Sequence, residues 1–350
     1  MLIRYCAYTS YSGYGFAAKN YIAAILRAGH QVQLEPLDNF PEKNQNSYPY
    51  NQVTIGGKFD PNTFSIIHTI PEMHRRLHKT TKTIAVAVYE TWMPPAHWVA
   101  ILNQSDAIIV PSQFNWDIFK EAGIKKPIFY IPHCLDMAQY TPDVAPLHQY
   151  DKFTFLFLGS WRNRKGCKTL IEAWMNEFSP NEPVQLVIKT DKPSDAETFI
   201  RHVTKSSLVF VAKDRYTDEQ IPGFIKSADC VVLPTIGEAF GYTGLQAMAL
   251  DVPVIITNYS GCQEYANANT ATLLESEGIV DHKGMDGIPQ FSNKKWVNIS
   301  SHQIAERLRY VFSHQKEIKE KSYQGFLYVR DKFGYNKASV AFQTLFDNLL

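Results

Sequence analysis

The residues best suited to do chemistry run from Glu238 to Met248, with the sequence Glu-Ala-Phe-Gly-Tyr-Thr-Gly-Leu-Gln-Ala-Met. One carboxylate and a glycine bend precede what the pattern predicts to be a short helix beginning near Thr243. A carboxylate accepts hydrogen bonds from hydroxyls, and the N–H groups and dipole of a helix start attract anions. The stretch therefore predicts a site for a polyhydroxylated, phosphorylated ligand. In the simpler interpretation Glu238 only adds a favourable charge, worth about 0.3 to 1 kcal/mol, at a helix start.

A second cluster, Gly159-Ser-Trp-Arg-Asn-Arg-Lys-Gly166, contains three cations between two glycines and follows a predicted strand. Such a loop at the carboxyl edge of a sheet offers N–H groups, a helix start and point charges to a diphosphate. By composition alone it is equally typical of a solvated basic loop. Its position between a strand and a helix favours the ligand.

Ser12-Gly-Tyr-Gly15 occupies the corresponding turn after the first strand of the chain. A lone pair of glycines most often makes only a turn, and the third glycine of a dinucleotide fingerprint is missing. We interpret Gly13 and Gly15 as lining for a phosphate or an acceptor. His68 lies at the end of another predicted strand, where a lone histidine is more often structural.

The elements that must position these residues alternate between short β-branched runs and amphipathic helices, which predicts parallel, doubly wound sheets. The fold class is therefore α/β, with two Rossmann-like doubly wound domains facing a central cleft. The alternation breaks between residues 141 and 152, where prolines and polar residues predict a linker. The predicted domains are residues 1–148 and residues 149–330. Predicted strands are 2–7, 64–67, 83–88, 107–110, 153–158, 184–188, 208–211, 230–234 and 253–257, and predicted helices include 16–28, 167–178 and the last 45 residues or so.

Composition excludes several classes of protein. The chain has 350 residues and a net charge of +1, which gives no global reason to expect nucleic acid as a partner. Its five cysteines are widely spaced and form no CxxC pair, so neither a disulfide framework nor a zinc site is indicated. We expect a cytoplasmic protein with at most peripheral membrane contact. The basic run from His74 to Lys79 is typical of a solvated helix face, with anionic lipid or polymer contact as the alternative.

Several motifs together resemble those of retaining, GT-B fold glycosyltransferases of family 4, also called glycosyltransferase group 1. That family carries two glutamates with seven residues between them, in a pattern like Glu-Gly-Phe-Gly, then Leu-Glu-Ala-Met-Ala, then Gly-x-Pro-Val-Ile-x-Thr. The matching segments here are 238–241, 245–249 and 253–257, with further similarity at 109–114, 131–136, 157–166 and 261–264. The ending resembles the family's terminal segment, which implies that residues 331–350 form a helix packing back on the N-terminal domain.

The resemblance implies a metal-independent transfer, with no cofactor, of a sugar from a UDP- or GDP-linked donor to an acceptor hydroxyl, with the anomeric configuration retained. The acceptor is a glycan, lipid, protein or modified nucleic acid, and the oligomeric state is not indicated. The implied catalytic residues are Glu238 toward the sugar, Lys165 toward the diphosphate, and Glu90 with His68 on the acceptor side. The implied donor-binding residues are Gly13, Gly15, Arg162, Lys165, Lys189, Phe240, Gly241, Tyr242, Thr243 and Gln246, with the nucleobase near residues 213–216.

Three positions depart from the family pattern. Gln246 stands where the second glutamate holds ribose hydroxyls, and an amide loses the stronger charge-assisted bonds. Ser160 stands where an arginine is common, and Glu90 aligns roughly with an acceptor-side histidine. Two alternatives to a transferase remain at this stage: a sugar-nucleotide-binding protein without transfer activity, and a GT-B fold sugar-nucleotide epimerase.

Overall fold

The computed structural model describes residues 1–10, 12–40, 46–77, 80, 82–203, 209–282 and 285–349. The strands are β1 (Leu2–Ala7), β2 (Gln31–Pro36), β3 (Thr54–Ile55), β4 (Phe64–His68), β5 (Lys82–Val86), β6 (Ala107–Val110), β7 (Ile128–Tyr130), β8 (Phe153–Leu158), β9 (Val184–Lys189), β10 (Val209–Ala212), β11 (Cys230–Leu233), β12 (Val254–Thr257), β13 (Thr272–Leu274), β14 (Ile279–His282) and β15 (Lys294–Val297). The helices are α1 (Gly13–Arg27), α2 (His74–Leu77), α3 (Ala96–Leu102), α4 (Gln113–Glu121), α5 (Cys167–Glu177), α6 (Pro193–Val203), α7 (Ile221–Lys226), α8 (Tyr242–Ala249), α9 (Ser301–Ser313), α10 (Gln315–Lys332) and α11 (Tyr335–Leu349).

The chain divides into two compact units, one of Met1–Asp136 with Lys332–Leu350 and the other of Met137–Asp331. The first unit is built on a seven-stranded sheet of order β3-β2-β1-β4-β5-β6-β7. Every pairing in it is parallel. The central strands β1, β4, β5 and β6 are buried on both faces, as parallel strands with helices on either side require, whereas the edge strands β3 and β7 are more exposed.

Helices α1 and α11 cover one face of this first sheet. Tyr21 of α1 and Phe342 of α11 meet edge to face with ring centroids 5.2 Å apart. The hydroxyl of Tyr335 donates to the side-chain oxygen of Asn20 at 2.8 Å. The end of the chain thus belongs to the core of the first unit, which also takes in Leu345 and Phe346.

The second unit is built on a six-stranded sheet of order β10-β9-β8-β11-β12-β13, again with parallel pairings throughout. Helices α5 and α9 pack on it, and Trp174 of α5 is fully buried against Phe155 of β8. A separate antiparallel hairpin joins β14 to β15. Among the described residues, the two parallel sheets have the doubly wound α/β architecture that the sequence predicts.

The segment before β8 packs with the second unit, so the division falls between Asp136 and Met137, whereas the sequence places it after residue 148. The amide of Gln139 donates to the carbonyl of Asp218 at 2.9 Å. The N–H of Leu147 donates to the carbonyl of Gly223 at 2.8 Å. These bonds hold a proline-containing stretch that lacks regular structure along the surface of the second unit.

Local sequence signals mark some helix ends. Ser112 caps α4 by accepting from the N–H of Asn115 at 3.1 Å, and Gly123 follows the helix with a left-handed φ of +99°. The pair Thr217 and Gln220, typical of a capping box, forms one of its two hydrogen bonds, since the N–H of Thr217 donates to the Gln220 side chain at 3.0 Å. Helix α7 begins only at residue 221.

The basic run from His74 to Lys79 and the predicted lack of a membrane span concern the surface of the protein. In the basic run, His74 and Leu77 are buried, while residues 78 and 79 and the side chains of residues 75 and 76 lie outside the described residues. Its lipid contact stays a prediction. No helix in the described part of the chain combines the length and apolarity needed to cross a bilayer.

Candidate active site

The two clusters found in the sequence meet at one edge of the second sheet. The loop 159–166 follows β8, and the turn 234–241 follows β11, the strand paired with β8. Parallel strands end at the same edge, so adjacent strands bring their following loops together. The N–H of Ile236 donates to the carbonyl of Arg164 at 2.9 Å, which joins the two loops directly.

Glu238 lies at the centre of this junction. Its carboxylate forms an ion pair with the ammonium of Lys165 and a second, at 3.2 Å, with the guanidinium of Arg164. The hydroxyl of Thr235 donates to the same carboxylate at 3.2 Å. The side chains that the sequence separates by more than 70 positions therefore form one charged cluster.

Glu238 is only 8% exposed, yet it stays ionised. Burial by itself raises the pKa of a carboxyl group, but the charges of Lys165 and then Arg164 outweigh that effect and hold the pKa of Glu238 below its ordinary value. A buried carboxylate is tolerated when it is paired and hydrogen-bonded in this way. The site contains a fixed negative charge between two cations.

The backbone around Glu238 is fixed by the segment after β12. The N–H of Glu238 donates to the hydroxyl of Ser260 at 3.0 Å, and the N–H of Gly261 donates back to the carbonyl of Glu238 at 3.0 Å. A Cβ at Gly261 would lie 2.1 Å from the carbonyl oxygen of Ala239. Only glycine allows the two chains to approach so closely.

Two helices begin beside this cluster, and each has a glycine at its N-cap. Gly166 precedes α5 with φ of +73°, and Gly241 precedes α8 with φ of +88°. Neither glycine has a side chain to cap the first-turn N–H groups, so these groups and the helix dipoles suit an anionic ligand. Tyr242 and Thr243 are the first two residues of α8, as the sequence predicts for a phosphate anchor.

Phe240 is buried beside this helix start. Its ring lies 5.7 Å from that of Tyr242 and 5.5 Å from that of Tyr265. The hydroxyl of Tyr265 donates to the carbonyl of Gly241 at 2.5 Å. The side chain of Phe240 thus lies in the core and packs against the start of α8.

Gln246, at the position of the family's second glutamate, is buried on α8 and only 7% exposed. Its amide nitrogen donates to the hydroxyl of Tyr140 at 2.7 Å. Tyr140 comes from the segment 137–148, which the sequence treats as part of the first domain and the linker. The amide is therefore already engaged by a hydroxyl of the same unit.

The remaining predicted cations have other neighbours. One guanidinium nitrogen of Arg162 donates to the carbonyl of Asp286 at 3.3 Å. Lys189 ends β9, where burial lowers the pKa of its ammonium, and its Nζ lies 5.8 Å from the ring centroid of Tyr216. Tyr216 in turn stacks on Phe224 at 4.4 Å. The region expected to hold the nucleobase thus combines the stacked rings of Tyr216 and Phe224 with the nearby cation of Lys189.

In the first unit, the predicted glycines lie in the first turn of α1. Ser12 caps this helix by accepting from the N–H of Gly15 at 3.1 Å. A Cβ at Gly15 would lie 2.1 Å from the carbonyl oxygen of Ser10, so Gly15 has a packing reason to be glycine, whereas Gly13 faces open space. The turn interpretation, left open by the sequence, therefore accounts for Gly15.

His68 ends β4 in the first unit and is 1% exposed. Its Nδ1 is hydrogen-bonded to the hydroxyl of Tyr5 at 2.8 Å, and Tyr14 and Tyr21 pack on its ring. Burial, and then the neighbouring His74, lower the pKa of His68 to about 3. His68 is therefore a neutral imidazole at the carboxyl edge of the first sheet.

Glu90 follows β5, the strand paired with β4. It is half-buried, and the preceding residue, Tyr89, is fixed by Asn115, whose side-chain amide both accepts from the Tyr89 N–H and donates to its carbonyl. Glu90 and His68 thus follow neighbouring strands of one sheet, and their acceptor-side roles stay predictions.

Several residues of the site were not singled out in the sequence. Thr235 and Ser260 bind Glu238, Tyr140 binds Gln246, and Asp191 and Asp286 bind the loop 159–166. Thr235 lies in a turn that the strand pattern already located. The other contacts join distant segments and have no local sequence signal.

A protein-family model described as Glycosyl transferases group 1 matches residues 152–282, the segment that contains Lys165, Glu238 and Gln246. The chain is 24% identical over 235 residues to mannosylfructose-phosphate synthase of Agrobacterium fabrum, covering 62% of this chain and 52% of that protein. It is 27% identical over 162 residues to D-inositol 3-phosphate glycosyltransferase of Pseudarthrobacter chlorophenolicus, covering 43% and 39%. The matched part thus spans about half or less of these relatives.

Solved structures share the fold over nearly the whole chain. HepE of Anabaena, solved with UDP and glucose, superimposes with a TM-score of 0.76 at 13% identity, covering 99% of this chain and all of that one. Sucrose-phosphate synthase of Thermosynechococcus elongatus gives a TM-score of 0.72 at 14% identity, covering 100% and 99%. The GT-B fold class predicted from the sequence is confirmed. The second unit of this chain contains a glycosyl transferases group 1 domain.

Proposed function

We propose that this protein transfers a sugar from a uridine diphosphate sugar to an acceptor hydroxyl, with the anomeric configuration retained. The observation that carries the proposal is the cluster of Glu238, Lys165 and Arg164 beside two helix starts that have glycine N-caps. The relatives named above are a synthase of a sugar phosphate and a glycosyltransferase, and HepE was solved with UDP and UDP-glucose. These names favour UDP over GDP as the donor nucleotide.

The chemistry follows from where charge develops. As the bond between the anomeric carbon and the diphosphate oxygen breaks, negative charge grows on the diphosphate and positive charge on the sugar ring. Lys165, Arg164 and the first-turn N–H groups of α8 stabilise the departing diphosphate more than the bound donor, which lowers the barrier. Glu238 accepts hydrogen bonds from sugar hydroxyls and orients the ring.

Retention requires that the acceptor oxygen attack the same face from which the diphosphate leaves. In the proposed step the acceptor oxygen bonds to the anomeric carbon, and its proton passes to the departing phosphate oxygen. No enzyme nucleophile is needed. Because two cations and two helix starts meet the charge of the leaving group, the proposal requires no metal, and a chelator should leave the rate unchanged.

The first test is a thermal-shift screen of the wild-type protein with UDP, GDP and ADP. A ligand that binds only the folded state raises the melting temperature by mass action. We expect the largest shift with UDP. If none of the three nucleotides shifts the melting temperature, the proposed donor class is wrong.

The second test offers a labelled UDP-sugar to the protein together with cell extract as the source of acceptor. Lys165→Ala should lower turnover by tenfold or more, about 1.4 kcal/mol of transition-state stabilisation. Lys168→Ala is the matched control, because Lys168 is an exposed cation in the first turn of α5. Equal rates for the two variants would remove Lys165 from the mechanism. Binding of the donor without transfer or hydrolysis would favour a binding protein.

A further inference from the structure

The cationic loop 159–166 is held from outside by a short segment that precedes and includes the start of β15. Residues 285–296 lie beyond the region matched by the family model, which ends at residue 282. They nevertheless contact three consecutive residues of the loop: Arg162, Asn163 and Arg164. The family resemblance therefore gives no account of this contact.

Asp286 makes the central contact. Its carboxylate accepts from the backbone N–H of Asn163 at 2.5 Å, and its carbonyl accepts from the guanidinium of Arg162 at 3.3 Å. Asp286 adopts a left-handed backbone conformation with φ of +56° and ψ of 13°. Aspartate tolerates this conformation better than most residues, and Gly287, with φ of +66°, continues it. The unusual backbone aims both acceptors at the loop.

Phe291 supports the same loop further along. Its ring lies 6.0 Å from the guanidinium carbon of Arg164, within the range of a cation–π contact. The ring packs edge to face on Trp296 at 5.1 Å, and Trp296 is fully buried. The aromatic support is thus anchored in the interior, so it can fix the position of Arg164.

The opposite side of the loop has a matching contact from within the family domain. The N–H of Trp161 donates to the carboxylate of Asp191, which follows β9, at 2.6 Å. Asp191 and Asp286 thereby accept from alternate N–H groups of the loop, those of Trp161 and Asn163. A loop held at these positions presents Lys165 and Arg164 with little freedom, and preorganised charges stabilise a transition state without further reorganisation.

We propose that residues 285–296 act as a clamp on the cationic loop 159–166. Asp286 is the positioning residue of this clamp and sets the affinity of the loop for a diphosphate. The proposal rests on the proposed function, since it assigns the loop to the diphosphate. Asp286 does not touch the ligand. It acts by fixing the backbone of Asn163, and through it the two cations that follow.

The test uses Asp286→Gly, which keeps the left-handed backbone accessible and removes only the side chain. Calorimetric titrations with UDP and with UMP separate the effect on the diphosphate from that on the rest of the nucleotide. We expect the affinity for UDP to fall about tenfold, or about 1.4 kcal/mol, and that for UMP to fall less than threefold. Asp281→Asn, an exposed carboxylate on β14 of the same hairpin, should change neither. A variant that loses UDP and UMP affinity equally would overturn the positioning role.

Hydrogen exchange of the peptide covering residues 159–166 tests the clamp without any nucleotide. Loss of the acceptor for the Asn163 N–H should speed exchange in Asp286→Gly, and unchanged exchange would overturn the clamp. If this variant does not fold, Asp286→Asn is measured in the same way. Its side-chain oxygen can still accept from the Asn163 N–H, but the bond is weaker without the charge, so exchange should still rise above that of the wild type. Faster exchange in a protein that binds no nucleoside diphosphate would sustain the clamp while refuting the proposed function.

Discussion

Replacing Glu238 by glutamine should tighten the binding of UDP while slowing sugar transfer. In the structure, the Glu238 carboxylate is hydrogen-bonded to Lys165 and lies 3.2 Å from Arg164. A diphosphate held by the same two cations would lie on the order of 5 Å from that carboxylate. Two unit charges at about 5 Å repel by about 0.8 kcal/mol in water and about 3.3 kcal/mol at an effective dielectric constant of 20. Taking about 1 kcal/mol, removal of the charge should strengthen UDP binding roughly fivefold.

The transfer rate should move in the opposite direction. With a UDP-sugar, the glutamine accepts weaker hydrogen bonds from the sugar hydroxyls than the carboxylate does, so turnover should fall tenfold or more, about 1.4 kcal/mol. Calorimetry with UDP measures the first effect, and release of labelled sugar measures the second. The gain in UDP affinity should also shrink as salt is added, since exposed parts of the site are screened.

Glu172→Gln is the control for the loss of one negative charge. Glu172 is exposed on α5, the helix that begins directly after the cationic loop. We expect its replacement to leave UDP affinity almost unchanged. If Glu238→Gln binds UDP with the same affinity as the wild type, the diphosphate is not held by Lys165 and Arg164. Weaker binding would mean that Lys165 depends on Glu238 for its orientation.

Three further outcomes follow from the site. The pKa of Glu238 lies below its ordinary 4.5, so the ionised carboxylate stabilises the fold above that pH. This contribution is lost as the pH falls through the lowered pKa. The difference in melting temperature between the wild type and Glu238→Gln should therefore close below about pH 4.5. Gln246→Glu should strengthen UDP binding a few-fold, because a carboxylate forms charge-assisted hydrogen bonds with the ribose hydroxyls. The melting temperature should change little, because the Tyr140 hydroxyl can rotate to donate to the new carboxylate. In titrations, a 2′-deoxy nucleotide should show less of the gain in affinity. Gly166→Ala should lower the melting temperature by several degrees or prevent folding, since its φ is +73° and the new Cβ would lie 2.0 Å from the carbonyl oxygen of Pro234.

Most strands of the two sheets were predictable because their apolar residues are buried on both faces, whereas β2, β3, β7 and β13 were not among the predicted strands. Runs such as 107–110 and 230–233 consist of apolar, mostly β-branched residues, and the structure has strands at both places. Helix ends were predictable where one residue decides them, as Ser112 does for α4. The loops of the candidate site followed from the same pattern, since they connect a strand to a helix at the carboxyl edge.

The partners of the site residues were not predictable, because each contact joins segments far apart in the chain. Gln246 stands out in the sequence as a departure from a pattern, but nothing near it points to Tyr140, 106 positions earlier. The same holds for Asp286, whose role depends on a left-handed backbone in an irregular segment. Arg162 was assigned to the donor from the family resemblance, and the structure directs one of its nitrogens to a carbonyl of the protein.

The packing of α11 on α1 has a consequence for the order in which the protein is made. The second unit is one continuous stretch of chain, whereas the first needs residues from both ends, including Phe342 and Phe346 in its core. On the ribosome, the nascent second unit can complete its core while the first still lacks a helix, although its strands emerged earlier. The first unit therefore waits until residues 335–349 are synthesised, and the surface that α11 later covers is exposed to chaperones in the meantime.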